Sequence, residues 1–355
     1  MIFALLVAGL IPAPGVAAES VDAPPPHHRA VRAIGDKALP VGAGTRLGAL
    51  RLYASQSLDA PDPAVRRAIV LVHGRLRNAD VYFRSAETAR AAAGEQAAGA
   101  LLVAPQFLAD PDADLAGGLP PDALRWTPEG WMGGEAATAP APISSFEALD
   151  ALVARLADRR LFPNLAEIVV AGHSGGGQVV QRYAATSQEA DALAKDRAPG
   201  GAVVRFVVAN PSSYLYFSPE RPMAGGGFAA LDLATCPRAD RWKYGLADRP
   251  PYAAGRSGAE IEAAYLSRDL TMLLGAEDRN PNHPALDKSC AAEAQGPNRM
   301  ERGLAYARYL AARHGAAFRH VVRVVPGVGH DGDGMFTSPC GVEALFASEP
   351  CPAAP

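Results

Sequence analysis

Residues 168–186 read IVVAGHSGGGQVVQRYAAT, from Ile168 through Ser174 to Thr186, and this stretch decides the fold. Residues 168–171 are an unbroken apolar run, the pattern of a strand buried on both faces. Past the glycines, Val179, Val180 and Tyr183 recur at helical spacing. A strand, a tight turn and a helix therefore meet around Ser174. A serine on such a turn takes a strained backbone conformation, and side chains two positions to either side would collide with neighbouring backbone, which explains Gly172 and Gly176. The helix behind it directs N–H groups and a dipole at the place where negative charge would develop beside the hydroxyl. In a chain with 35 glycines the plain alternative is a glycine-rich turn with no chemistry, so the flanking sequence has to discriminate.

Working outward, buried-strand runs recur at 68–72, 101–105, 203–209, 270–274 and 321–325, and an alternating strand precedes them at 47–55. Helical patterns fall between them, at 85–94, 144–160 and 299–313. In the second, Phe146, Leu149, Leu152, Val153 and Leu156 form the apolar stripe, with Ser144 or Ser145 placed to cap it. Strands alternating with helices imply an α/β fold with a parallel sheet. Two stretches break the rhythm with Pro, Gly and aromatics. Residues 110–142 read as a long loop over the C-terminal edge of the sheet, and 211–265 as a lid or cap insertion. Trp126, Trp131, Tyr214, Tyr216 and Phe217 in these stretches read as packing rather than as a ligand pocket.

A serine hydroxyl needs a base to become a nucleophile, so a histidine is expected at the end of a later strand. His27 and His28 lie in a proline-rich leader, and His73 in the exit loop of the 68–72 strand. His173 sits inside the turn, its ring expected to point away from the serine. His314 and His320 bracket a turn at the opposite edge of the sheet, and His283 lies several loop residues beyond its strand. His330 remains, directly after the last strand and flanked by glycines. An imidazole acting as base must be neutral, so activity is expected to fall as pH drops through an ordinary histidine titration near 6.5.

Gly172-His173-Ser174-Gly175-Gly176 matches G-x-S-x-G, and the chain thereby resembles the α/β-hydrolase superfamily, whose landmarks recur in order from about residue 68 to 335. The resemblance implies a twisted, mostly parallel sheet of about eight strands with helices on both faces, and the lid or cap insertion after the sixth. It also implies the order serine, acid, histidine. Asp278 then follows its strand at G-x-x-D spacing, with adjacent Glu277 as the alternative, while the preceding strand ends at Asn210 and offers no carboxylate. The oxyanion donors would be the backbone N–H groups of Gly175 and of Arg75, in His73-Gly74-Arg75. Arg77 either anchors that loop or recognises an anionic group. A third glycine, Gly177, and the 211–265 insertion depart from the family pattern and leave the substrate open. The implied activity is cleavage of a small or polymeric carboxylic ester through an acyl-enzyme, with amide cleavage by the same residues, or a non-catalytic binding protein on the scaffold, as alternatives. No cofactor and no metal are implied; Asp331-Gly332-Asp333-Gly334 resembles half of a calcium loop whose remaining ligands do not follow.

Hydrophobic residues make up 49% and charged residues 20%, enough for a large core and one domain over 47–355. A formal charge of -3 gives no field that would draw the chain to nucleic acid or anionic lipid. Residues 1–18 resemble a secretory signal peptide, with an apolar run from Ile2 to Ile11 and small residues before Glu19; 19–46 follow as a partly flexible leader. No later stretch is long and uncharged enough to span a bilayer. Export, periplasmic or extracellular, suits the even count of four cysteines. Three pairings are possible, and Cys340–Cys351 with Cys236–Cys290 is favoured because the first closes a short loop. Oligomeric state is not legible.

Overall fold

A computed structural model describes residues 29–115, 117–196 and 201–351; the expected signal peptide and the leader up to residue 28 lie outside them. Eight strands form the central sheet: β1 (Lys37–Ala43), β2 (Arg46–Ala54), β3 (Arg67–Val72), β4 (Ala100–Gln106), β5 (Glu167–His173), β6 (Val203–Ala209), β7 (Asp269–Gly275) and β8 (Val321–Val325). Their order is β1-β2-β4-β3-β5-β6-β7-β8. The pairs β1–β2 and β2–β4 are antiparallel and the rest parallel.

The apolar runs are explained by what covers them. Ile69, Leu71, Val169, Ala171, Val207 and Leu273 pack under α1 (Ala79–Ala93) and, further along the chain, two C-terminal helices carrying Phe336 and Leu345. The alternate residues Val70, Val72, Ile168, Val170, Phe206 and Met272 face the other layer. That layer holds α2 (Ser145–Ala157), α3 (Gly175–Thr186), α5 (Gly258–Leu266) and α6 (Arg299–His314), while α4 (Gln188–Lys195) leads from α3 toward β6. The C-terminal helices are α7 (Gly332–Thr337) and α8 (Pro339–Phe346). With both faces covered, period-two alternation disappears from the sequence, and each large side chain so buried contributes about 1.5–3 kcal/mol. Of the two serines ahead of α2, Ser144 is the cap: its Oγ accepts from the Phe146 N–H while Glu147 reaches back to the Ser144 N–H at 2.7 Å.

Two expectations about boundaries change. The ordered sheet starts at Lys37 rather than at residue 47, because part of the stretch assigned to the leader is the edge strand β1. Only Leu39 and Val41 of β1 are buried, and Pro40 sits where an edge strand tolerates it, so its sequence carries little strand signal. The segment 211–265 is not one appended piece. Tyr214, Leu215 and Tyr216 are fully buried in the core against Tyr306 and Tyr309, and α5 is the crossover helix that returns the chain to β7. Buried Arg221 ties the intervening loop together, donating to the carbonyls of Ser218 at 2.8 Å and Tyr244 at 3.1 Å. The disulfides are Cys236–Cys290 and Cys340–Cys351.

Candidate active site

Ser174 stands between β5 and α3 with φ of +58°, the positive-φ geometry expected of the turn. Its N–H donates to the Ala209 carbonyl at 2.9 Å, tying the turn to the end of β6. A Cβ at position 172 would come within 2.5 Å of the Gly176 backbone. A Cβ at 177 would come within 2.5 Å of the Ala209 carbonyl oxygen, so the third glycine serves the close approach of α3 to β6.

The exits of β5, β7 and β8 bring Ser174, Asp278 and His330 together. The Ser174 hydroxyl lies 2.9 Å from His330 Nε2, and His330 Nδ1 lies 2.8 Å from Asp278 Oδ2. With Nδ1–H donating to the carboxylate, Nε2 is left as the acceptor for the hydroxyl proton. Asp278 is 2% exposed, whereas Glu277 is exposed and turned to solvent. Burial pushes the Asp278 carboxyl above its ordinary range, and the Arg299 guanidinium, 3.5 Å from Oδ1, pulls the other way. Arg299 is itself brought down to about 10 by burial, against the pull of Asp278. Its second nitrogen holds the Ala285 carbonyl at 2.7 Å, fixing the fork beside the carboxylate.

The loop expected to supply an oxyanion donor lies against the turn: the Arg75 backbone nitrogen is 3.0 Å from where a Cβ on Gly175 would sit. Gly175 is the first residue of α3, where a backbone N–H has no partner within the helix. Two side chains hold this loop. His73 is fully buried; its Nδ1–H donates to the Gly74 carbonyl at 2.8 Å and its Nε2 accepts from the Phe107 N–H at 2.9 Å. Burial lowers His73 to about 4, keeping the ring neutral for both bonds. Arg77 grips Asp112 with Nε at 2.6 Å and Nη2 at 2.8 Å, and donates to the Arg75 carbonyl at 2.9 Å. Anchoring, not anion recognition, is thus what its guanidinium does.

Several residues at the site carried no sequence signal for it. Asn210, set aside for lacking a carboxylate, accepts from the Gly275 N–H at 2.8 Å and donates to the Gly329 carbonyl at 3.2 Å, joining the exits of β6, β7 and β8. His283, set aside for its distance from a strand, packs edge-on against His330 with ring centres 4.9 Å apart and accepts from the Ala285 N–H at 3.1 Å. The ring of His173 does not leave the neighbourhood; it lies 4.6 Å from that of His330, with its Nδ1 3.1 Å from the Tyr82 hydroxyl. Asp331 caps α7 by accepting from the Asp333 N–H, so the Asp-Gly repeat opens a helix. Trp126 and Trp131 are buried, and Trp131 packs on Phe107 and His73.

Ser174 lies where two clefts meet. A narrow one of about 60 Å³ runs past Tyr82, His173, His283 and His330, and a wider, polar one of about 330 Å³ past Met132, Gln178 and Lys243. A larger cavity of about 510 Å³ lies beside Arg205 and Arg268, at the other end of the strands. Among the described residues, no three His, Cys, Asp or Glu side chains are placed to hold a metal ion, and no helix is long and apolar enough to cross a membrane.

No protein-family model matches the chain, and no curated protein matches it. Solved structures do. LpqC, a poly(3-hydroxybutyrate) depolymerase from Bordetella parapertussis, is 24% identical, with 89% of this chain and 91% of that one covered and a TM-score of 0.60. Poly(aspartic acid) hydrolase-1 from Sphingomonas sp. KT-1 is 22% identical, with coverages of 85% and 95% and a TM-score of 0.54. The likeness is one of fold.

Proposed function

We propose that this chain, whose fold is that of the α/β-hydrolases, is a serine hydrolase that cleaves a carboxylic ester with Ser174 as nucleophile, His330 as base and Asp278 as orienting acid. The observation that carries the reading is the continuous pair of hydrogen bonds from Ser174 through His330 to Asp278, at 2.9 and 2.8 Å, on a positive-φ turn. In the forward half-reaction the Ser174 oxygen attacks the carbonyl carbon as its proton passes to His330 Nε2. The N–H groups of Gly175 and Arg75 hold the resulting oxyanion, each donor lowering the barrier by about 2.7–4 kcal/mol. Collapse of the tetrahedral intermediate expels the alcohol, which takes the proton from His330, and leaves Ser174 acylated. Water, deprotonated by the same nitrogen, then releases the acid and restores the serine. Asp278 stays ionised and stabilises the imidazolium that forms twice per cycle, with Arg299 supporting it in that charge state.

The same residues serve an amide, and the poly(aspartic acid) hydrolase among the neighbours is what favours that second reading. Two disulfides suit an oxidising compartment, and we place the chain outside the cytosol. A fluorophosphonate probe is expected to label the wild-type chain and not Ser174→Ala, and a panel of p-nitrophenyl esters beside aminoacyl anilides separates ester from amide. Absence of labelling, or equal labelling of both proteins, would return the chain to the binding-protein alternative.

A further inference from the structure

The wider cleft beside Ser174 is cationic, in a chain whose formal charge is -3. Arg75, Arg238, Lys243 and Lys288 line it, against the carboxylates of Glu129 and Asp287. Asp287 is already engaged, accepting from the Tyr244 hydroxyl at 2.7 Å and the Ser289 N–H at 2.9 Å. Lys288 also pairs with Glu293, at the rim.

Lys243 differs from the other three. Its side chain is 15% exposed, while that of Glu129, 3.5 Å away, is 64% exposed. The ammonium is sunk in the wall and its counter-ion lies out in solvent. Burial, and then the charge of Arg182 behind it, pull Lys243 below its ordinary range. A charge taken out of water in this way is stabilised by an anion brought close to it. A second donor lies in the same cleft. Gln178, one turn along α3 from Ser174, has its Oε1 taken by the Ser213 hydroxyl at 3.1 Å and by Arg182 at 3.3 Å. Its NH2 is left directed at the Met132 sulfur, 3.8 Å away, a weak acceptor that a substrate oxygen would outcompete.

Resting on the serine-hydrolase reading, we infer that the substrate carries a carboxylate on the part that occupies this cleft, held by Lys243 and Gln178. The exposed Arg75, Arg238 and Lys288 draw it in from the rim. Arg77 takes no part, being committed to Asp112.

Two matched pairs of esters test this on the full chain. The pair p-nitrophenyl hydrogen glutarate and p-nitrophenyl valerate places the carboxylate on the acyl side; 4-acetoxybenzoate and phenyl acetate place it on the alcohol side. With uncatalysed rates subtracted, one pair is expected to show kcat/KM at least about tenfold higher for the anionic ester, a preference that shrinks with added salt. The ratio of anionic to neutral kcat/KM is expected to collapse in Lys243→Met and to fall in Arg238→Gln. Arg238 is exposed, so that variant carries the test if Lys243→Met does not fold. Ratios of one or less in both pairs, with neutral esters turned over through Ser174, overturn the inference and leave the hydrolase reading standing. If no ester is turned over, calorimetry of glutarate with Ser174→Ala decides: binding that is lost with Lys243→Met added supports the cleft's role, and no binding overturns it.

Discussion

Asn210 directly follows β6 with φ of +42° and is fully buried. Its side-chain amide touches both the exit of β7, at the Gly275 N–H, and the His330 loop, at the Gly329 carbonyl. Removing it leaves the buried Gly275 N–H unsatisfied, at about 1–3 kcal/mol, and takes away one tie on the loop that presents the imidazole. Asn210→Ala is expected to lower the melting temperature and to cut kcat/KM by roughly tenfold to a hundredfold, since small displacements of a reacting group are costly. Wild-type kcat/KM in that variant would remove Asn210 from the positioning of His330. Nothing in the sequence announced this role, because its partners lie 65 and 119 residues away. The meeting of Ser174 and His330 was legible for the opposite reason: a glycine-flanked serine between a strand and a helix, and a glycine-flanked histidine after a strand, are local patterns. Arg299, which faces Asp278, is an arginine at a helix start like any other until the tertiary structure puts it there.

At the scale of elements, the strands that carry the site were the readable ones. Burial on both faces writes itself into β3, β5, β6 and β7 as continuous apolar runs, whereas β1 has two buried side chains and looks like a leader. The crossover helix α5 was read as part of an insertion because proline and aromatic residues surround it, and those aromatics are core side chains packed against α6. The third glycine of the turn, a departure when seen as a motif, belongs to the seating of α3. Gly177→Ala is expected to force α3 away from Ala209 at a cost of about 1–3 kcal/mol, lowering the melting temperature by several degrees. Unchanged melting in Gly177→Ala would mean that this approach has slack that the distances do not suggest.

Over the whole molecule, two buried histidines make folding sensitive to acid. His73, bonded at both nitrogens, and His320, whose Nε2–H donates to the Tyr265 carbonyl at 3.0 Å, are each lowered by burial from 6.5 to about 4. Between those values the unfolded chain binds protons that the folded chain refuses, so stability is full above pH 6.5 and is lost as pH falls toward 4. At about 1.36 kcal/mol per unit, the loss is on the order of 3 kcal/mol for each histidine. The melting temperature should therefore drop through this window, and drop less steeply in His320→Gln; a flat profile from pH 6.5 to 4 would contradict the burial of these rings as described.

The sheet order also governs when the proposed triad is first assembled. Ser174 meets His330 across 156 residues, and His330 hangs from β8, an outer strand whose pairing within the sheet is with β7. Until β8 is paired, the turn at Ser174 lacks the imidazole that the folded chain sets 2.9 Å from its hydroxyl. On the proposed mechanism, a chain cut ahead of β8 would carry the turn without its base.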